Sequence, residues 1–292
     1  MSWGTPGRVN RTFRTVFAVL CALSAALSQS SRPQHAHLSL ILDRTALVPT
    51  ESDWIGLRFE LDPGWHIYWT NPGDSGEPPK IVWHLPVGIQ AGDLQFPAPQ
   101  RIPDHSLIDY GYQGSVVLLS KLTVPAGATS KQAEIGADVK YLVCREVCIP
   151  AKDHLSVTVP IGGRAKAAPE ASQIQAAETH LPRPLPRGVR ASAASTQDGF
   201  VVTIAGKSPS MGQATDFISA DEQVIENIAK PAIDIGKDEV VIRLKKSEQL
   251  NHPISQVRGL LIAGDRAYNI DVPVASGKAG VQNRKLQKKV KE

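Results

Sequence analysis

Cys144 and Cys148 stand four apart in the run Tyr141-Leu-Val-Cys-Arg-Glu-Val-Cys-Ile-Pro150. Thiols at that spacing can cycle between dithiol and disulfide, grip a soft ion such as Cu(I), or staple the chain. As a staple the pair is weak. Loop-closure entropy credits a ring of about five residues with only ~2 kcal/mol, and a domain of more than about 100 residues is better held by joining distant strands. A ring so tight is also a candidate for strain, and strained bridges are the more reducible ones. Arg145 favours a thiolate while Glu146 opposes it, so these neighbours do not decide reactivity. Spacing alone leaves a redox pair and a structural bridge equally open.

Two aromatic blocks accompany the pair in a chain that is only 5% aromatic. Asp62–Gly76 holds Trp65, Tyr68 and Trp69. It reads as a strand over Trp65–Thr70, with both Trp in the core, followed by a Gly/Pro turn. Residues 108–114 place Tyr110 and Tyr112 in a Gly-flanked loop. Such a loop is either a turn with amphipathic surface tyrosines or a cover that lies over reactive cysteines and controls access. Among possible extra ligands, His154 reads as a surface residue, and His35 and His37 as histidines of a flexible tail. Two Cys plus scattered His match poorly the four ligands that zinc takes. Neither a metal nor another cofactor is expected. The chain has no hydrolase or transferase constellation and no Gly-rich loop between a strand and a helix.

The elements that must position these residues are mostly strands. Ile55/Leu57/Phe59/Leu61, Ile81/Trp83/Leu85, Ile135/Ala137/Val139/Tyr141/Val143 and Leu155/Val157/Val159/Ile161 all alternate with polar or small residues. Period-2 patterning is the mark of half-buried strands. It sets the cysteine pair at the end of a β-hairpin, closing a three-residue connection. The pattern returns at Phe200/Val202/Ile204, Val240/Ile242/Leu244 and Tyr268/Ile270/Val272/Val274. Between the two groups, residues 162–180 hold a short helix after Pro169, with Ile174, Ala177 and Leu181 on one face. A Pro-rich stretch to Gly188 is a stiff linker. The reading is all-β: two sandwich domains, residues 36–161 and 189–275, joined by 162–188.

Both ends differ from this body. Residues 1–28 carry three Arg and no acid, and the apolar run Val16–Leu27 is followed by Ser28 in an Ala-x-Ser pattern. That is the layout of a signal peptide, with cleavage near Ser28–Gln29. This 12-residue run falls short of the about 20 residues that span a bilayer. No membrane span is expected after cleavage. Export removes Cys21 and leaves Cys144 and Cys148 as a pair in an oxidising compartment. Residues 276–292 form a basic tail, read as disordered. The stretch between the two ends carries 23 Lys/Arg against 27 Asp/Glu, so the formal +4 of the whole chain comes from its termini. A slightly acidic body has no electrostatic footprint for nucleic acid.

Four blocks occur in order: GWHIYWTNPGDSG (64–76), FPAPQRI (96–102), DYGYQG (109–114) and YLVCREVCIP (141–150). Together they closely resemble the periplasmic N-terminal domain of the DsbD-type thiol–disulfide interchange reductases, in the suppressor-of-copper-sensitivity branch. The resemblance implies immunoglobulin-like sandwiches, with Cys144 and Cys148 as the redox pair. It puts Asp109, Tyr110 and Tyr112 at the position of a cap over the disulfide, and Tyr68 at that of an aromatic lining the site. It implies electron relay between a membrane-embedded thiol reductase and periplasmic thioredoxin-like proteins, in cytochrome c maturation or copper tolerance. Membrane helices and a thioredoxin-like domain do not follow in this sequence, so the donor is expected to be another protein. Two alternatives stay open. Cys-x-x-x-Cys before Pro also resembles copper-delivery proteins of the thioredoxin fold, although those place the motif before a helix. The other is a non-catalytic binding module with a structural disulfide.

Overall fold

The structure, a computed structural model, describes Met1 and residues 35–275. Apart from Met1, the expected signal peptide (1–28) and the basic tail (276–292) lie outside the described residues. The alternating segments become strands whose apolar members face inward. The first half comprises β1 (Ala36–Leu42), β2 (Ser52–Leu61), β3 (His66–Gly73), β4 (Lys80–His84), β5 (Gln90–Ala91), β6 (Gln100–Asp104), β7 (Leu107–Gln113), β8 (Ser115–Thr123), β9 (Gln132–Cys144) and β10 (Cys148–Pro160). They form a four-stranded sheet in the order β1-β2-β8-β5 and a six-stranded one in the order β10-β9-β3-β7-β6, with β4 also on β9. Leu57, Phe59 and Leu118 from one sheet meet Ile67, Tyr110, Val139 and Tyr141 from the other in a common core. Trp65 and Trp69 belong to that core, as the alternation around them requires.

Helix α1 (Ala171–Thr179) follows. Ile174 and Ala177, one turn apart, face inward and pack with Ile41, Trp54, Val117 and Leu119 on the outer side of the four-stranded sheet. The helix therefore covers a sheet face and does not merely link. This is why Trp54, on the polar side of the β2 alternation, is buried. The Pro-rich stretch behind it is pinned as well. Arg183 N donates to Ala267 O (2.9 Å), and Asn269 N donates to Arg183 O (2.8 Å).

The second half comprises β11 (Arg190–Ser195), β12 (Gly199–Ala205), β13 (Ala214–Ser219), β14 (Ala232–Ile235), β15 (Glu239–Lys245), β16 (Gln256–Ala263) and β17 (Arg266–Ala275). They follow the path β13-β16-β17-β11-β12-β15-β14, joined in the middle by a short parallel pairing of β11 with β17. Phe200, Val202, Phe217, Ile242, Leu261 and Ile270 fill its core. The fold is all-β and sandwich-like throughout.

The two halves are fastened to each other. Ile218, Leu260 and Ala267 extend the core of the first sandwich into the second. Beside them Arg101, on β6, makes a two-pronged ion pair with Asp216 (2.6 and 3.1 Å). It also donates to the carbonyls of Asn227 (2.6 Å) and Phe217 (3.2 Å). Tyr110 lies against this guanidinium, 5.4 Å from ring centroid to Cζ. Among the described residues no helix is long and apolar enough to cross a membrane.

Candidate functional site

The antiparallel ladder of β9 and β10 ends on the pair Cys144–Cys148. Arg145, Glu146 and Val147 make the turn, closed by Arg145 N donating to Val147 O (3.2 Å). The two cysteines form a disulfide with Cα atoms 4.1 Å apart. Their environments differ: Cys144 is 2% exposed, whereas Cys148 is in the solvent-exposed part of the tip.

Strand β3 flanks β9 on its other side, where His66 is the ladder partner of Cys144. Successive side chains on a strand point to opposite faces. His66 and Tyr68 therefore face the disulfide while Trp65, Ile67 and Trp69 enter the core. The Tyr68 hydroxyl lies 3.4 Å from Cys148 Sγ and 3.4 Å from Ser75 Oγ. Ser75 donates its N–H (3.1 Å) and its hydroxyl (3.0 Å) to the buried carboxylate of Asp109. His66 stands edge-on to Tyr68, with ring centroids 5.1 Å apart. Its Nε2 is 3.5 Å from Asp109 Oδ2, outside hydrogen-bond geometry. A chain of polar groups thus runs from Cys148 Sγ through Tyr68 and Ser75 to Asp109. Burial pushes the Tyr68 phenol up to about 12, so at neutral pH it keeps its proton and can donate.

The cover over Tyr68 is the segment after β3. Register with β7 breaks between Tyr68 and Gly73. The chain then folds back so that Gly76, at φ +80°, rests on the ring. A Cβ there would stand 2.1 Å from Tyr68 Cζ, so only glycine fits. Asn71 and Asp74 tie the segment to the second sandwich. Asn71 Nδ2 donates to Ser219 O (2.9 Å), and Asn227 Nδ2 donates to Asp74 Oδ1 (2.8 Å).

Residues 108–114, expected as a Gly-flanked loop, are instead mostly strand β7, paired with both β3 and β6. On a strand, Asp109 and its neighbour Tyr110 cannot face the same way. Asp109 takes the disulfide side, through Ser75. Tyr110 and Tyr112 point into the core, where Tyr110 donates to Asn227 Oδ1 (3.0 Å) and Tyr112 to Pro97 O (2.7 Å). Burial holds both phenols well above the usual range. Truncating them would open the core, at ~3–5 kcal/mol for a large buried ring. They are not a surface cover that swings away from the sulfur.

Of the sequence candidates, Cys144, Cys148, Tyr68 and Asp109 are brought together. His66, Ser75 and Gly76 complete the site and were not singled out from sequence. For His66 a signal existed: it is two residues from Tyr68 on a strand, hence on the same face. For Ser75 and Gly76 none did, because a turn carries no periodicity. His154 is six residues along β10 from the pair and bonds to Asp138 (2.7 Å). His35 is no tail residue, since it stacks on Trp65 (centroids 3.8 Å apart, planes at 7°) and bonds to Asp62 (2.9 Å).

Comparison with known proteins bears on this geometry. Residues 39–160 match the family described as thiol:disulfide interchange protein DsbD, N-terminal. The match thus lies within the first sandwich. Its bounds enclose the hairpin, Tyr68, Ser75 and Asp109. Among solved structures, the chain is similar to the N-terminal periplasmic domain of ScsB from Proteus mirabilis, at 16% identity and a TM-score of 0.63. That likeness covers 86% of this chain and 97% of the other, so it is a likeness of fold across both sandwiches. The periplasmic chaperone SfaE covers 81% of this chain and 99% of its own at 8% identity, but with a TM-score of 0.20 it carries no argument. No curated protein sequence matches the chain. The stretch similar to that family thus holds the cysteine pair, while the second sandwich is matched by fold alone.

Proposed function

We propose that this chain is an exported, periplasmic thiol–disulfide exchange module. It passes electrons through Cys144 and Cys148 from a membrane-embedded thiol reductase to periplasmic thioredoxin-like proteins. Cytochrome c maturation and copper tolerance are processes such a relay serves. The observation that carries the reading is the asymmetry of the disulfide. One sulfur belongs to an exposed residue and has a protonated phenol 3.4 Å away, within a domain of the DsbD N-terminal family.

A donor thiolate attacks Cys148 Sγ, forming a mixed disulfide and releasing Cys144 as a thiolate. The donor's second thiolate then attacks its own sulfur in that bond and releases Cys148. The donor leaves oxidised and this chain holds the dithiol; transfer to an acceptor disulfide runs the same steps in reverse. Tyr68 donates its proton in a hydrogen bond to the Cys148 thiolate, stabilising the leaving sulfur. The Tyr68 ring and the segment at Gly76 restrict approach, and exchange depends on access to the attacked sulfur.

The test is the reduction potential of the pair, measured by equilibration in thiol redox buffers. A value above about −300 mV supports the relay. A value well below it marks an inert structural bridge and would leave the chain a binding module.

A further inference from the structure

The outer face of the six-stranded sheet carries a second cluster that thiol chemistry does not use. His84 ends β4, Asp138 lies midway along β9 and His154 lies on β10. The ladder sets Asp138 opposite both Val82 and His154, and His84 opposite Gly136. All three residues thus occupy adjacent rungs of three neighbouring strands. Gly136 leaves space for this, because a Cβ there would press within 3.2 Å of His84 Cβ. The carboxylate bridges the two rings. Asp138 Oδ2 is 2.7 Å from His84 Nε2, and Oδ1 is 2.7 Å from His154 Nδ1. The ring centroids are 6.0 Å apart, and the three donor atoms lie within 4.8 Å of one another. The two imidazole contacts hold Asp138 below the ordinary carboxylate range.

We propose that His84, Asp138 and His154 form a surface binding site for a divalent first-row transition cation of the Zn(II) or Cu(II) kind. Two imidazoles and one carboxylate are an N/O donor set that suits these ions better than Mg(II) or Ca(II), which take oxygen. Three protein ligands leave a fourth position for water. Metal–ligand bonds of ~2.0–2.2 Å in a tetrahedral shell bring donors to about 3.3 Å from each other. Closing from the present spacing needs only side-chain rotation, for which the rings are free, at 52% and 68% exposed. The backbone beneath is a paired three-strand ladder, so little else has to be ordered. Any proton that an imidazole shares with Asp138 is released as the ion enters. A single exposed His–Asp contact would be an ordinary surface pair of little consequence. The second imidazole on the other carboxylate oxygen is what makes a chelate.

The experiment is calorimetric titration of the untagged, chelator-treated chain with ZnCl2 at pH 7.5. The Cys144–Cys148 disulfide is kept oxidised so that thiolates take no part. The expected result is one ion bound per chain at micromolar affinity. His84→Ala and His154→Ala should each weaken binding roughly 10-fold or more, the loss that removing even an outer-sphere partner brings. Both rings are exposed, and circular dichroism verifies that the variants stay folded. A parent chain that takes up neither Zn(II) nor Cu(II) at about 100 µM, far above the expected micromolar affinity, overturns the proposal. So does a His84→Ala/His154→Ala double variant that keeps the parent isotherm.

Discussion

The hairpin of β9 and β10 bears both clusters on one face of one sheet, yet they live in opposite environments. At its tip the buried Tyr68 brings its hydroxyl to Cys148 Sγ, and Gly76 rests on its ring. Six residues down each strand, about 20 Å at 3.3 Å per residue, His84, Asp138 and His154 stand open to water. The strands are equally regular in both places. What differs is the segment 71–76, which the second sandwich holds against Tyr68 through Asn71 and Asp74. Cover is therefore a tertiary property. The rate of exchange depends on access to the attacked sulfur, whereas a surface cation site needs only donors within reach.

Variants can break this contrast at its strongest point first. Cys148→Ser should abolish exchange with any thiol partner, measured by the rate at which a dithiol reduces the chain. The fold should persist, since the lost loop constraint of ~2 kcal/mol is small beside a typical stability of 5–15 kcal/mol. With the freed Cys144 thiol blocked by alkylation, the metal isotherm should be unchanged, because the two sites share no ligand.

Arg101→Ala comes next. It strands the carboxylate of Asp216, mostly enclosed at 22% exposed, and removes two donors to second-sandwich carbonyls. Breaking a fully buried pair costs about 3–5 kcal/mol, and discounted for partial exposure we expect ~2–3 kcal/mol. That is a fall of roughly 4–12 °C in melting midpoint, checked by calorimetry. Reduction by glutathione should quicken as well, because the segment over Tyr68 loses part of its anchorage.

Tyr68 sharpens the comparison most directly. Tyr68→Ala should speed reduction of the pair by glutathione several-fold, by uncovering the sulfur. Tyr68→Phe should keep the cover and lose the donor, slowing the release of Cys148 and raising the pKa of its reduced thiol. The loss of one hydrogen bond to a charged group, ~1.5–3 kcal/mol at most, bounds the shift at about one to two pH units. With the phenol pKa at about 12, the rise in rate between about pH 7 and 9 should follow the attacking thiol alone. Smallest of all, Tyr112→Phe should cost ~1 kcal/mol of stability through the lost bond to Pro97 O. It should not alter the exchange rate; an acceleration would return Tyr112 to the role of a cover.

The amino-acid sequence by itself determined the strands and the meeting of the cysteines. Period-2 patterning is local, so Ile135/Ala137/Val139/Tyr141/Val143 and Leu155/Val157/Val159 announce two strands joined by three residues. Cys144 and Cys148 then have to oppose each other. The cores of both sandwiches were legible for the same reason. What patterning cannot tell is which strands become neighbours, because that is settled by burial and register over long separations. Tyr110 and Tyr112 sit between glycines and look like a loop, yet pairing with β3 and β6 makes them a strand and sends their rings inward. Helix α1 looks like a linker until a sheet face needs covering. His84 and His154 are 54 and 16 residues from Asp138 in sequence, and only the adjacency of β4, β9 and β10 joins them. Ser75 and Gly76 reach the disulfide solely because the chain after β3 breaks register and folds back over Tyr68.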